Sequence, residues 1–247
     1  MDEALKGKAK EILRLGIAKI VKNYTKNALL INACDVSASR YETLTATDGL
    51  STTQNIPLHL RLDHEIDHQY TNEELVREYK SDVLDVILKN YVVMSISLVD
   101  AILEDLYELF LSSIETEITD SDLSKKVRNA WANDNILNYF VAEDKAKLKK
   151  PNDMNTPFSE SFMRYKELRL IRHSLVHSDG IVSQKNLDTL SQYKKLTPDE
   201  RKGFALIDSP MIRNGNNISL SINIILSIRQ YLHRFLIYQL KSVSNAQ

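Results

Sequence analysis

The sequence predicts an all-α protein, a helical bundle with one small extended segment or hairpin near residues 204–220. Three observations carry that expectation. Only 6 Gly and 5 Pro fall among 247 residues, too few turn signals for a sheet protein built of many short strands. Long stretches lack both residues and place apolar side chains at three- and four-residue steps, the period of a helix. Capping residues stand before several of these stretches, at Thr71, Thr156 and Thr197.

Taken in order, Leu5, Ile12, Leu13, Ile17, Ile20, Val21 and Tyr24 recur at helical steps with lysines between them, which predicts an amphipathic helix from Glu3 to about Tyr24. Its apolar character continues into Ala28 to Ile31. The Ser- and Thr-rich stretch from Asp35 to Asn55, with its Asp48-Gly49 turn signal, predicts a surface loop. Leu58, Leu60, Leu62 and Ile66 alternate strictly with polar residues and predict an extended segment with one apolar face. Thr71 and Glu74 have capping-box spacing, so a helix starts there. Asn72 to about Ser112 holds no Gly or Pro and predicts either one long helix or two, with a break near Asn90 where β-branched residues cluster. Shorter helices are expected around Leu123 to Trp131 and Asn133 to Lys149, the charged run from Glu143 to Lys150 being a solvated helix end.

After a connector at Pro151 to Pro157, Thr156 and Pro157 read as a cap followed by a first-turn proline. They predict a helix through Phe158, Phe162, Tyr165, Leu168, Ile171 and Leu175 that stops at Gly180. Gln184 to Tyr193 predicts a short helix, Thr197-Pro198 a further helix start, and Phe204 to Ile212 with Ile218 to Leu220 a hairpin about Asn214-Gly215-Asn216-Asn217. Ser221 to Lys241 closes the chain as an amphipathic helix. Residues 1–70 are expected to form a helical extension and loop packed on a core made by 71–247, a single domain overall being the alternative.

The 32 basic and 33 acidic side chains nearly cancel, which excludes a whole-chain field that would draw the protein onto nucleic acid or anionic lipid. Any contact with RNA has to be local. The single cysteine, Cys34, cannot by itself close a disulfide within the chain or make a thiolate zinc site, and has no basic neighbour to activate it. The charged N-terminus lacks a secretory signal pattern and the longest uncharged run, Asn214 to Ile228, is short for a membrane span. A cytoplasmic location with no membrane association is expected.

The chemistry concentrates in Arg172-His173-Ser174-Leu175-Val176-His177. On a helix turning 100° per residue, His173 and His177 lie one turn apart and Arg172 lies on the adjoining edge, all within an arc of about 140°. Arginine holds a phosphate with a permanently charged fork, and histidine exchanges a proton near neutral pH. Such a trio suits proton transfer on an anionic, phosphorylated substrate. The same residue types are also favoured by the helix dipole in a last turn, where they cap carbonyls.

The motif resembles that of the HEPN domains, all-helical proteins that include many ribonucleases, in which Arg is followed by Asn, Asp or His, then a few residues, then His. The resemblance extends to the apolar residues before the motif, to the Asp179-Gly180 stop, and to a final helix after Ile218-Ser219-Leu220, and it covers about the last two-thirds of the chain. It implies a homodimer whose paired motifs form a composite site that cleaves RNA, without metal or other cofactor, by attack of a ribose 2′-hydroxyl on the neighbouring phosphate. It further implies His177 as acid or base, Arg172 as the group that steadies phosphoryl charge, and His173 as a positioning or polarising residue. A toxin or antiviral effector held in check by an antitoxin or regulatory protein is the setting the family suggests. The alternative is a non-catalytic module of the same fold that binds RNA, a nucleotide or a protein partner.

His64-Glu65-Ile66-Asp67-His68 matches the zinc-protease pattern, but that chemistry requires a helix, and this segment continues the alternation from Leu58. A polar connector is the reading it supports. Glu104, Asp105 and Glu108 are candidate partners for the arginine or a solvated helix face, and Trp131 is expected in the core and not as a stacking platform.

Overall fold

A computed structural model of the chain describes residues 1–45, 49–64, 66–194, 212–213 and 216–246. It is predominantly helical. The α-helices are α1 (Glu3–Thr43), α2 (Asn72–Lys80), α3 (Asp82–Ile114), α4 (Asp120–Arg128), α5 (Asn135–Val141), α6 (Phe158–His177), α7 (Gln184–Lys194) and α8 (Ile222–Ser244). Among the described residues the only paired strands are β1 (Ile212–Arg213) and β2 (Asn217–Ile218), antiparallel with Ile212 opposite Ile218. The expected hairpin is present in that short form; Phe204 to Met211 and the Thr197-Pro198 helix start lie outside the described residues.

The chain divides into two compact units at two points inside helices. One unit comprises residues 1–24 and 91–247, the other residues 25–90, so α1 and α3 each contribute to both.

In the larger unit α6 is enclosed. Tyr165 donates its hydroxyl to the Ile96 carbonyl of α3 at 3.0 Å, and Tyr231 of α8 donates to the Ser161 carbonyl at 3.1 Å. Phe162 meets Phe140 of α5 at 5.8 Å and Phe235 of α8 at 5.6 Å, and the Tyr165 and Phe235 rings stack at 4.8 Å. Each such ring pair contributes about 0.5–1.5 kcal/mol beyond the area it buries. α1 packs on α3 through Gly16, where a Cβ would stand 2.6 Å from Ile102 Cδ1. Glycine is required there by proximity.

Four boundaries differ from the sequence expectation. α1 runs on to Thr43, so Asp35 to Thr43 is helix and not loop; Cys34 and Ala38 are buried and Tyr41 stacks on Tyr79 at 6.2 Å, contacts that override the weak propensity of its serines and threonines. The break in the long apolar stretch falls at Ser81 (φ −125°, ψ −81°), and Asn90 lies inside α3. Ala142 to Lys150 is not helical: α5 ends at Val141 and Lys147 adopts φ 49°. Leu58–Leu60 is a single 3-10 turn, and Leu58, Leu60, Leu62 and Ile66 are all exposed. Among the described residues only the single bridge of Ser51 with Gln69 pairs any of this region, and a strand without a ladder cannot satisfy its amides.

Other signals hold. Thr71 and Glu74 form the reciprocal capping box, and Ser221 caps α8 by accepting from Ile224 N–H. Pro157, not Thr156, occupies the cap position of α6, with no side-chain capping bond. Asn72–Ile114 is long and apolar enough by composition to cross a membrane, and half of its most apolar window is buried, as in a core helix.

Candidate functional site

The site is built on two stripes of α6. Tyr165, Arg169 and Arg172 follow one another at four and three residues and so share the face turned to α3. There the single hydroxyl proton of Tyr165 is shared between the Ile96 carbonyl and Asp100 Oδ1, the nearer acceptor at 2.7 Å, Arg169 Nε donates to the same carboxylate oxygen at 2.8 Å, and Arg172 Nε donates to Ser97 Oγ at 2.9 Å. Ser97 gives its own proton to the Val93 carbonyl at 2.8 Å, which leaves its lone pairs for Arg172. The neighbouring stripe carries Lys166, His173 and His177. Lys166 pairs with Asp134, and the rings of His173 and His177 lie 4.6 Å apart at 46°, both exposed.

The helix ends as its sequence predicts. Ser178 and Gly180 both donate to the Ser174 carbonyl at 3.0 Å, and Gly180 takes φ 79°, the left-handed conformation that glycine allows. The Gly180 carbonyl accepts from Ile218 N–H at 2.8 Å, so β2 is tied to the end of the motif helix.

Arg172 and His173 line a cleft of about 310 Å³ together with Trp131, Asp134, Lys166 and Arg169, and Thr189 of α7 closes one side. The guanidinium carbon of Arg169 sits 3.8 Å above the Trp131 ring, and the indole N–H donates to Glu104 at 2.8 Å. Asp134 (φ 61°) lines the cleft after Asn133 (φ 48°), the two in consecutive left-handed conformations, which these residue types tolerate best. Burial pushes the Asp100 carboxyl above the usual range against the pull of Arg169, the hydrogen bond from Tyr165 and the charge of Arg172. Burial likewise raises Glu104, opposed by the hydrogen bond from Trp131.

Of the three residues singled out in the sequence, the structure brings Arg172 and His173 into the cleft and sets His177 beside His173 but outside the cleft lining. The sequence reading missed Arg169, Lys166 and Asp100. A signal was present: Ser97, Asp100 and Glu104, spaced three and four apart, make a polar stripe along α3. Trp131 is half-buried at the cleft and not in the core, which corrects the expectation for it. Glu104 serves Trp131 and not the arginine, whereas Asp105 and Glu108 are exposed.

His64 and His68 are exposed, and the described residues from Arg61 to His68 form turns and coil, so the helical face required by the zinc-protease pattern is not there. Among the described residues no group of three or more His, Cys, Asp or Glu side chains could hold a metal ion. Cys34 is buried, and burial raises its thiol above the ordinary value, the state of an unreactive core thiol.

A larger cavity, about 770 Å³, lies near the end of α3, but the Lys126 and Lys145 ammonium groups there are both paired with Glu115 and no motif residue reaches it. Comparison of the chain with protein-family models, with curated proteins and with solved structures finds no match.

Proposed function

We propose that the chain is a metal-independent endoribonuclease of the HEPN type, acting as a homodimer whose two α6 motifs supply one composite site. The observation that carries the reading is Arg172. Lys166 and Arg169 have carboxylate partners in Asp134 and Asp100, but Arg172 has none among the described residues; its Nε is fixed by a neutral hydroxyl, and its two terminal nitrogens are left for an anion. A guanidinium held this way, next to two exposed imidazoles, suits a phosphodiester that changes charge as it reacts.

In the proposed step one histidine, His177, takes the proton of a ribose 2′-hydroxyl. The 2′-oxygen forms a bond to phosphorus, the bond from phosphorus to the 5′-oxygen breaks, and that oxygen leaves with a proton from the corresponding histidine of the second protomer. The products are a 2′,3′-cyclic phosphate and a 5′-hydroxyl. Arg172 balances the charge on the non-bridging oxygens, and His173, against the ring of His177, orients it. A cytoplasmic location and a restraining partner, such as an antitoxin, belong to the same proposal.

The test is cleavage of single-stranded RNA by purified protein in EDTA, with the ends identified chemically. Arg172→Ala and His177→Ala are each expected to abolish it. Undiminished cleavage by both variants, or no cleavage by the wild type, overturns the enzymatic reading. Sedimentation that finds only monomer at working concentration overturns the composite site.

One observation favours the alternative, a non-catalytic module of the same fold that binds RNA: His177 lies outside the cleft that Arg172 and His173 line. RNA binding that depends on Arg172 without any cleavage would select it.

A further inference from the structure

We infer that Trp131 and Arg169 form a nucleobase subsite beside Arg172, so that the cleft takes one nucleotide unit with its base against the Trp131–Arg169 pair and its phosphate on Arg172. The inference deepens the ribonuclease reading and rests on it for the identity of the strand.

The charge pattern of the cleft distinguishes this from a plain anion site. Arg169 is spoken for by Asp100 and Lys166 by Asp134, and the Asp134 carboxylate in the cleft lining repels a second phosphate. Among the described residues, one position for an anion remains, at Arg172. Beside it the Arg169 guanidinium lies 3.8 Å over the indole of Trp131 and covers that face of the ring, so the plane offered to a base is the guanidinium with the indole behind it. Both aromatic rings and guanidinium planes stack bases.

Both partners are held in place. Trp131 is anchored through its indole N–H to Glu104, and Arg169 through Nε to Asp100, which leaves the two outer nitrogens of Arg169 without a hydrogen bond among the described residues. The Asp134 carboxylate and the Thr189 hydroxyl on the cleft wall are acceptors of the kind that a base's ring or exocyclic N–H groups require. A volume of about 310 Å³ is of the order of one nucleotide unit and lies at the small end of ligand cavities.

The chain has 1 tryptophan and 11 tyrosines, so fluorescence excited to the red of the tyrosine absorption band reports Trp131 alone. The probe is a short oligodeoxyadenylate, which lacks the 2′-hydroxyl and cannot be cleaved by the proposed chemistry, compared with an abasic strand carrying the same number of phosphates. The adenylate is expected to change the emission of the wild-type protein saturably, and the abasic strand to bind more weakly by about fivefold or more, the order expected for one lost stack. Arg169→Lys, which keeps the charge and loses the plane, is expected to weaken adenylate binding by a similar factor and leave the abasic strand unaffected. Equal affinity for the two strands in the wild-type protein, or adenylate binding with no change in Trp131 emission, overturns the subsite whatever the variant does. Failure of the two readings is distinguishable: emission that responds to base while RNA stays uncut removes the nuclease and keeps the subsite. Cleavage that depends on Arg172 and His177 with no preference for bases does the reverse.

Discussion

Ser97 holds Arg172, which has no carboxylate ion-pair partner among the described residues, so Ser97→Ala tests whether its placement matters. In the folded protein Ser97 donates to Val93 and accepts from Arg172 Nε at 2.9 Å. A hydrogen bond to a charged group contributes about 1.5–3 kcal/mol when buried. Arg172 is only half-buried, so water recovers part of the loss, and about 1 kcal/mol, roughly fivefold in Kd, is the expected net effect. The assay is fluorescence anisotropy of a labelled single strand at fixed salt, run on the wild type, Ser97→Ala, Arg172→Ala and the double variant. The serine substitution should weaken binding about fivefold in the first background and leave it unchanged in the second, because a missing guanidinium cannot be positioned. Ser97→Thr, which keeps the hydroxyl, should bind as the wild type does. If the alanine variant loses the same affinity whether or not Arg172 is present, the hydrogen bond is not what transmits the effect and the reasoning is wrong.

Three further expectations concern the frame around the cleft. Gln239 is fully buried and neither its amide nitrogen nor its amide oxygen has a hydrogen-bond partner among the described residues; Gln239→Met should therefore raise stability by about 1–3 kcal/mol in denaturant unfolding, and a fall would refute the accounting. Tyr165→Phe removes a bond that helps hold Asp100 ionised. A carboxyl raised by burial contributes stability that is complete below the ordinary aspartate range and is lost as pH rises through its folded value, so the Tm deficit of the variant should widen from about pH 4 towards neutrality; a deficit that narrows contradicts the sign. Gly16→Ala drives a methyl into Ile102 at 2.6 Å and should cost about 1–3 kcal/mol despite better helix propensity. Adding Ile102→Ala should cost less on the Gly16→Ala background than on the wild type, whereas strict additivity would show that the two do not meet.

Local chemistry was legible where one residue settles it: the Thr71 box with Glu74, the Ser221 cap and the Gly180 stop each follow from a few atoms. What the sequence could not display is what a distant element supplies. The alternation of Leu58 to Ile66 resembles a strand, but a strand exists only with a partner, and among the described residues none is offered beyond the Ser51 bridge. The serines and threonines after Asp35 read as loop until the burial of Ala38 and the stacking of Tyr41 outweigh their propensity.

The candidate site divides along the same line. Arg172, His173 and His177 share one helix and announce themselves by spacing. Trp131 and Asp100 come from other elements, and only the folded chain sets them against Arg169. The polar stripe of Ser97, Asp100 and Glu104 was the one trace of that arrangement, and it records which face of α3 meets polar partners without saying which arginine it meets.

The tie between Gly180 and Ile218 has a consequence for biosynthesis. The peptide that ends α6 offers its carbonyl to an amide made 38 residues later, from 180 to 218, so a nascent chain can wind the motif helix well before it can fasten it. Through that interval the turn bearing His177 is held by its local cap, in which Ser178 and Gly180 N–H donate to the Ser174 carbonyl. A chain truncated before residue 218 would carry every motif residue and the local cap at Ser174 but not the tie to β2, whereas the longer chain closes that fastening in one register. Translation thus delivers the imidazoles early and their final support late.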